Sequence, residues 1–139
     1  MLLIIARAVG NSQTPVCPGF VGGAVDDHYS VENAAKARRF LADLKAAVHE
    51  ENKKKMGSMI LYPLSVAMGS GEKELEIRNS DQFLLAYRTV ISPRIRKVLE
   101  SQDPECLFAN REGIMVGRGE VWFRLQSDGK FKIISIIAN

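Results

Sequence analysis

The chain has 139 residues, of which 46% are hydrophobic and 25% are charged, and its formal net charge is +3. This balance is that of an ordinary globular protein, and it excludes a collagen-like, disordered or disulfide-dense chain. The length fits one domain with one core, without room for a separate cofactor domain.

The positive charge is concentrated in one part of the chain. Residues 36–55 contain seven Lys and Arg against three Asp and Glu, whereas residues 56–139 contain eleven against ten. A run of this kind can form a nucleic-acid surface, and it can also be the solvated face of a helix. We favour the helix face, and nucleic acid is therefore the least favoured partner.

The two cysteines do not indicate a metal site. Cys17 and Cys106 are far apart in the sequence, and neither has a second Cys or His at ligand spacing. They are either free thiols of a cytosolic protein or one long-range disulfide of an exported protein. The glycines between Gly113 and Gly119 lie between predicted strands and open no helix, so they do not indicate a phosphate loop. No cofactor is predicted.

The first 29 residues are predicted to be a leader or a poorly ordered segment. Residues 2–6 are apolar, but Arg7 ends this stretch, which is too short to span a bilayer. It can be the remnant of an export signal, an N-terminal strand or a mobile tail. No later stretch approaches eighteen apolar residues, so no membrane-spanning segment is predicted. Residues 30–139 are predicted to form a single domain.

In chain order, the domain begins with helices and a hairpin. Ser30 is a good N-cap, and the apolar residues after it recur at helical spacing, which predicts a long amphipathic helix. A second short helix is predicted over 53–60. After Pro63 the residues alternate over 64–68 and over 72–78 with glycines between, which predicts a β-hairpin.

Helices and then strands follow the hairpin. Asn79 with Gln82 forms a capping-box pattern at the start of one helix, and Ser92-Pro93 begins another that runs to about Ser101. Strands are predicted over 114–116, 120–125 and 131–137. The last is apolar on both faces, as expected of a central strand that is covered on both sides. The order predicts an α+β fold, with helices packed on the concave face of a curved, mostly antiparallel sheet.

Two segments carry a resemblance to a known family. They are Ile77-Arg78-Asn79-Ser80-Asp81-Gln82-Phe83-Leu84, followed by Tyr87, and Leu107-Phe108-Ala109-Asn110-Arg111-Glu112-Gly113-Ile114-Met115-Val116-Gly117-Arg118-Gly119-Glu120-Val121-Trp122-Phe123. Together with the element order, they resemble the nuclear-transport-factor-2-like superfamily, whose cone-shaped α+β fold is related to that of the cystatins. Within it, they look like a group of small bacterial proteins, many of them exported.

The resemblance carries several expectations. It implies a cone with a ligand-binding pocket over residues 30–139, a homodimer formed through a sheet face, and export to the periplasm rather than a cytoplasmic location. Members of this fold are also carried on mobile gene cassettes, which is a possible origin for this chain.

The chain departs from the better-known enzymes that it resembles. Those enzymes place an Asp, an Asp–His pair or an Asp–Arg–Asp set in the pocket, whereas the matching strands here offer Glu120 and Arg124 without a nearby histidine. His28 lies in the predicted leader, and His49 lies near the end of the first helix. The resemblance therefore favours a member without a recognisable catalytic set.

Five residues are candidates for a site. Glu120, Trp122 and Arg124 are predicted to share one face of one strand, either as a polar set beside an aromatic wall in a pocket or as part of a dimer interface. Tyr87 and Tyr62 either direct a hydroxyl group into that pocket or are core tyrosines.

The predicted function is that of a domain that binds a small organic ligand or a partner protein. Tyr62, Tyr87, Trp122 and Arg124 are the candidate ligand-binding residues, and no metal ligand is predicted. The alternative is an isomerase, dehydratase or hydrolase with Glu120 as its general base, which requires a buried carboxyl group in the pocket.

Overall fold

The computed structural model describes Cys17, residues 23–69 and residues 73–138. The helices in this part of the chain are α1 (Val25–His28), α2 (Val31–His49), α3 (Lys53–Ser58), α4 (Ser80–Leu85), α5 (Tyr87–Val90) and α6 (Pro93–Ser101). The strands are β1 (Leu64–Met68), β2 (Lys73–Ile77), β3 (Phe108–Asn110), β4 (Gly113–Val116), β5 (Val121–Leu125) and β6 (Phe131–Ala138). The predicted α+β class is confirmed.

The strands form one open sheet in the order β2-β1-β6-β5-β4-β3. Sequential neighbours pair antiparallel, whereas β1 and β6 pair in parallel. The first hairpin and the C-terminal meander are therefore joined through the last strand of the chain. This arrangement is compatible with the predicted cone, and it makes β6 a central strand.

A β-bulge explains the two isoleucine pairs of β6. Phe123 pairs with Ile133 and Trp122 pairs with Ser135, so Ile134 is an extra residue on β6. Because the bulge shifts the alternation by one residue, Ile133 and Ile136 are both buried although they are three positions apart. Ile137 is 40% exposed. The described residues thus cover β6 on one face, and the prediction of two covered faces is wrong for this part of the structure.

Helix α2 packs its apolar stripe against the sheet. The Ser30 hydroxyl oxygen accepts a hydrogen bond from the Asn33 N–H at 3.1 Å, which satisfies one of the free donors at the start of the helix. Buried residues then recur every three or four positions, as expected of a helix with one covered face. They are Ala34, Ala37, Leu41, Leu44, Ala47 and Val48.

The helices after the hairpin begin where their caps predict. The Asn79 side chain accepts from the Gln82 N–H at 2.9 Å, while the Gln82 side chain accepts from the Arg78 N–H at 2.7 Å. The helix predicted after the Asn79 cap is divided at Ala86 into α4 and α5. Ser92 caps α6 and Pro93 occupies its first turn, where a missing N–H has no cost.

The end of the segment predicted as a leader packs against the domain. Val25 is 1% exposed, and Ala24 pairs antiparallel with Phe108 at the edge of the sheet. A disulfide joins Cys17 to Cys106 in the loop between α6 and β3. The two cysteines are therefore bonded in this structure, and the free-thiol alternative does not apply to it. Residues 23–29, which were predicted to belong to the leader, pack with the domain. Among the described residues, no helix has the length and apolar character needed to cross a membrane.

Candidate anion-binding groove

An open groove of about 610 Å³ lies between the N-terminal half of α2, the C-terminal part of α3 and the turn that joins β5 to β6. Its volume falls in the range of small-molecule sites. Helices α2 and α3 follow one another in the chain, whereas the β5–β6 turn comes much later and meets them only in the folded structure. The lining residues are Lys36, Arg39, Phe40, Asp43, Lys55, Ser58, Met59, Gly129, Lys130, Phe131 and Lys132.

The groove carries a large excess of positive charge. Five of its lining residues are Lys or Arg and one is Asp43, which leaves an excess of four positive charges. Within the described part of the chain, Arg39, Lys55 and Lys130 form no salt bridge. The Lys36 ammonium nitrogen lies 3.9 Å from a carboxylate oxygen of Glu32, and such an exposed ion pair contributes little to stability. The positive potential of the groove is therefore mostly uncompensated.

The base of the groove is apolar and partly aromatic. Met59 and Phe131 are buried, and Phe40 is partly buried. The Phe40 ring centroid lies 4.8 Å from that of Phe123 and 6.2 Å from that of Phe131. Because these rings pack against Phe40 from below, the groove combines a packed apolar base with cationic side chains at its rim.

Local hydrogen bonds position two of the lysines. In the β5–β6 turn, the Lys130 carbonyl accepts from the Gln126 N–H at 2.8 Å, and the Lys130 N–H donates to the Asp128 carboxylate at 3.0 Å. These bonds close the turn and leave the Lys130 ammonium group at its exposed tip. The Lys132 ammonium group donates to the Ser58 carbonyl at 2.7 Å, so it joins β6 to the end of α3.

Glu120 lies outside this groove. It is in the turn before β5, and its side chain is 10% exposed. One carboxylate oxygen accepts a hydrogen bond from the Arg94 guanidinium at 3.0 Å, and the other accepts from the Arg118 N–H at 2.7 Å. An added Cβ at Gly117, whose φ is +66°, would overlap with the same carboxylate. Glu120 therefore anchors the turn to α6.

This role gives a testable expectation for Glu120→Gln. The amide still accepts from the Arg118 N–H but loses the charge that attracts Arg94, which is 45% exposed. We expect the free energy of unfolding to fall by about 1–2 kcal/mol, because a charge-assisted bond to a half-exposed partner is partly screened. Urea unfolding measures this change. Glu112→Gln, at an exposed carboxylate, is the control, and an equal effect of both substitutions would contradict the anchoring role.

Glu120, Trp122 and Arg124 do not share one face, contrary to the prediction. The carboxylate of Glu120 is directed toward α6, whereas Trp122 and Arg124 alternate with the buried Val121 and Phe123 and so lie on the sheet face away from the helices. Trp122 is partly exposed and Arg124 is exposed. Neither lines the groove, and the predicted homodimer through this face stays a prediction.

The predicted tyrosines lie apart from the groove. Tyr87 is 5% exposed, and the Lys53 ammonium group lies 4.9 Å from the centroid of its ring. Burial raises the pKa of Tyr87, and the nearby Glu51 carboxylate raises it further, while Arg96 and Arg88 oppose this effect. Its buried hydroxyl has no hydrogen-bond partner of good geometry among the described residues.

The hydroxyl of Tyr62 has a local structural partner. It donates to the Gly57 carbonyl at 2.7 Å, near the end of α3, and burial raises its pKa. This bond ties the segment before β1 to α3. The structure thus places Tyr62 and Tyr87 in packed surroundings, and neither of them lines the groove.

Some residues of the groove are recognisable in the sequence, but their pattern did not predict a site. Phe40 follows Arg39 directly, but the helical pattern assigned it only to the apolar stripe. Lys130 ends the predicted hairpin turn and Lys132 lies in the strand predicted after it, where exposed lysines are common and do not by themselves indicate a site. No group of three or more His, Cys, Asp and Glu in the described residues is arranged to hold a metal ion.

Comparison with known proteins does not identify the chain: no family model matches it, and neither curated proteins nor solved structures gave a significant match. The resemblance to the nuclear-transport-factor-2-like superfamily therefore stays a prediction. The structure alone establishes the α+β architecture.

Proposed function

We propose that the protein binds a small organic anion in the groove between α2, α3 and the β5–β6 turn. The observation that carries the proposal is the excess of four positive charges around a base formed by Phe40, Met59 and Phe131. Clefts that pair an apolar base with a few charged groups are the usual form of small-molecule sites. The charges supply attraction and orientation, and the base supplies desolvated contact area.

The origin of the charges supports a ligand site over a solvated helix face. Lys36 and Arg39 belong to α2, Lys55 belongs to α3, and Lys130 and Lys132 belong to the end of the β5–β6 turn and the start of β6. Like charges brought together by tertiary structure repel one another, and this cost is reduced when an anion binds between them. A helix that only needs a polar surface has no need of cations from two further elements.

The enzyme alternative gains no support from the position of Glu120. Both of its oxygens already accept hydrogen bonds. The separate cleft beside Glu120 is lined largely by polar and cationic residues of α6 and of the turn before β5. We therefore propose binding without catalysis. The Cys17–Cys106 disulfide supports the expected export, because such bonds persist in oxidising compartments.

Calorimetric titration with phenyl phosphate, a small aromatic anion, tests the proposal. In the double variant Lys55→Gln, Lys130→Gln we expect binding to weaken about tenfold or more, because two exposed charges at the rim are removed. Added salt should weaken binding to the wild type for the same reason.

The control variant removes the same charge elsewhere. Lys97→Gln, Arg118→Gln lowers the net charge by the same two units in the groove beside Glu120. Its affinity for phenyl phosphate should equal that of the wild type. Equal weakening in both double variants would show that only net charge matters, and it would overturn the proposal. The absence of saturable binding of phenyl phosphate to the wild type would overturn it as well.

A further inference from the structure

Phe40 distinguishes this groove from a plain cationic patch. Resting on the proposed function, we propose that the ligand is a nucleotide, with its base on the ring of Phe40 and its phosphate among the lysines of the rim. Phe40 is the partly buried aromatic residue of the groove, and it lies on α2 beside Arg39 and one turn after Lys36. A planar base therefore meets an aromatic surface and cations at the same place.

The packing of Phe40 suits it to stacking. Its ring is held from below by Phe123 at 4.8 Å, and Phe123 in turn contacts Phe131 at 5.7 Å. A ring that is already fixed loses little freedom when a base packs on it, so most of the stacking energy contributes to affinity. Stacking on aromatic side chains accepts any base, because every base has a π-face.

The rim suits a phosphate group better than a single carboxylate. A phosphate monoester carries a charge between −1.5 and −2 at neutral pH and three acceptor oxygens. Lys55 comes from α3, whereas Lys130 and Lys132 come from the β5–β6 turn and the start of β6, and lysine binds phosphate as a point charge. The uncompensated excess of four positive charges is therefore better neutralised by a dianion than by a monoanion.

Three related probes separate the base from the phosphate. Adenosine monophosphate carries both, ribose 5-phosphate carries only the phosphate, and adenosine carries only the base. At fixed ionic strength, we expect calorimetry to show adenosine monophosphate binding at least about tenfold tighter than either fragment. A single-stranded oligothymidylate of ten nucleotides tests whether the groove binds the base and phosphate of a nucleic-acid strand rather than those of a free nucleotide.

Two substitutions of Phe40 complete the test. Phe40→Leu keeps an apolar side chain without a π-face and should weaken adenosine monophosphate about 5- to 50-fold while leaving ribose 5-phosphate unchanged. Phe40→Tyr keeps the ring and should bind like the wild type. Thermal unfolding verifies that each variant is folded at the temperature of the titration.

The outcomes distinguish this inference from the proposed function. If ribose 5-phosphate and adenosine monophosphate bind equally and Phe40→Leu changes neither, the inference is overturned while anion binding stands. If the oligonucleotide binds and the free nucleotide does not, the nucleotide assignment is likewise overturned. If phenyl phosphate and all the nucleotide probes fail to bind, the proposed function and the inference both fail.

Discussion

Reduction of the Cys17–Cys106 disulfide is expected to lower the free energy of unfolding by about 4–5 kcal/mol. The two cysteines are 89 positions apart, so the bond closes a long loop in the unfolded chain and restricts its freedom. In the chain-entropy model a loop of this length corresponds to that energy. For a domain of this size, the midpoint of thermal unfolding should fall by on the order of 10–15 °C.

The folded state should survive reduction, because other contacts hold the same segment. Arg38 forms ion pairs with Asp26 and Glu105, and the Val25 N–H donates to the Leu107 carbonyl at 3.1 Å. The double variant Cys17→Ser, Cys106→Ser should therefore unfold cooperatively and match the reduced wild type. Mass spectrometry without a reductant verifies the bond. An unchanged midpoint under reduction would contradict the prediction.

Phe123→Ala is expected to destabilise the domain by about 3–5 kcal/mol. Phe123 is fully buried on β5, and its ring contacts those of Phe40 and Phe131. The substitution removes this buried apolar area and leaves a cavity that the strands around it can fill only in part. Equilibrium unfolding in urea measures the loss as a lower midpoint at an unchanged slope.

The same substitution should also affect the groove. Phe123 supports Phe40 from below, so its removal lets the Phe40 ring move into the cavity and weakens the binding of phenyl phosphate. Phe123→Leu retains much of the volume and should cost less stability and less affinity. Full retention of stability in Phe123→Ala would contradict the packing described for the core. Weakened binding in Phe123→Leu that exceeds that in Phe123→Ala would contradict the support of Phe40.

Local patterns predicted most of the elements of this fold. Ser30, Asn79 and Ser92 each cap the helix that their sequence context indicates, because a cap depends on residues within one turn. The hairpin and the C-terminal strands follow from alternation and turn residues. The bulge at Ile134 was not predictable, because it depends on how β5 and β6 pair rather than on β6 alone.

The groove could not be predicted from the sequence, because its residues meet only through tertiary structure. Lys36 and Lys130 are separated by most of the domain, and neither carries a motif. The prediction for Glu120 was wrong for a related reason. Alternation assigned Glu120 to the same face as Trp122, but β5 begins only at Val121, and the turn before it directs the Glu120 carboxylate to Arg94. Spacing within a strand cannot reveal where that strand begins.

The most direct test of anion binding in the groove is an amide ¹H–¹⁵N correlation spectrum recorded during titration with phenyl phosphate. We expect saturable shifts that are largest for residues 36–43, 55–59 and 129–132, which belong to the three elements that line the groove. Shifts that do not saturate, or that are largest for residues 94–98 and 117–120 around Glu120, would contradict this expectation.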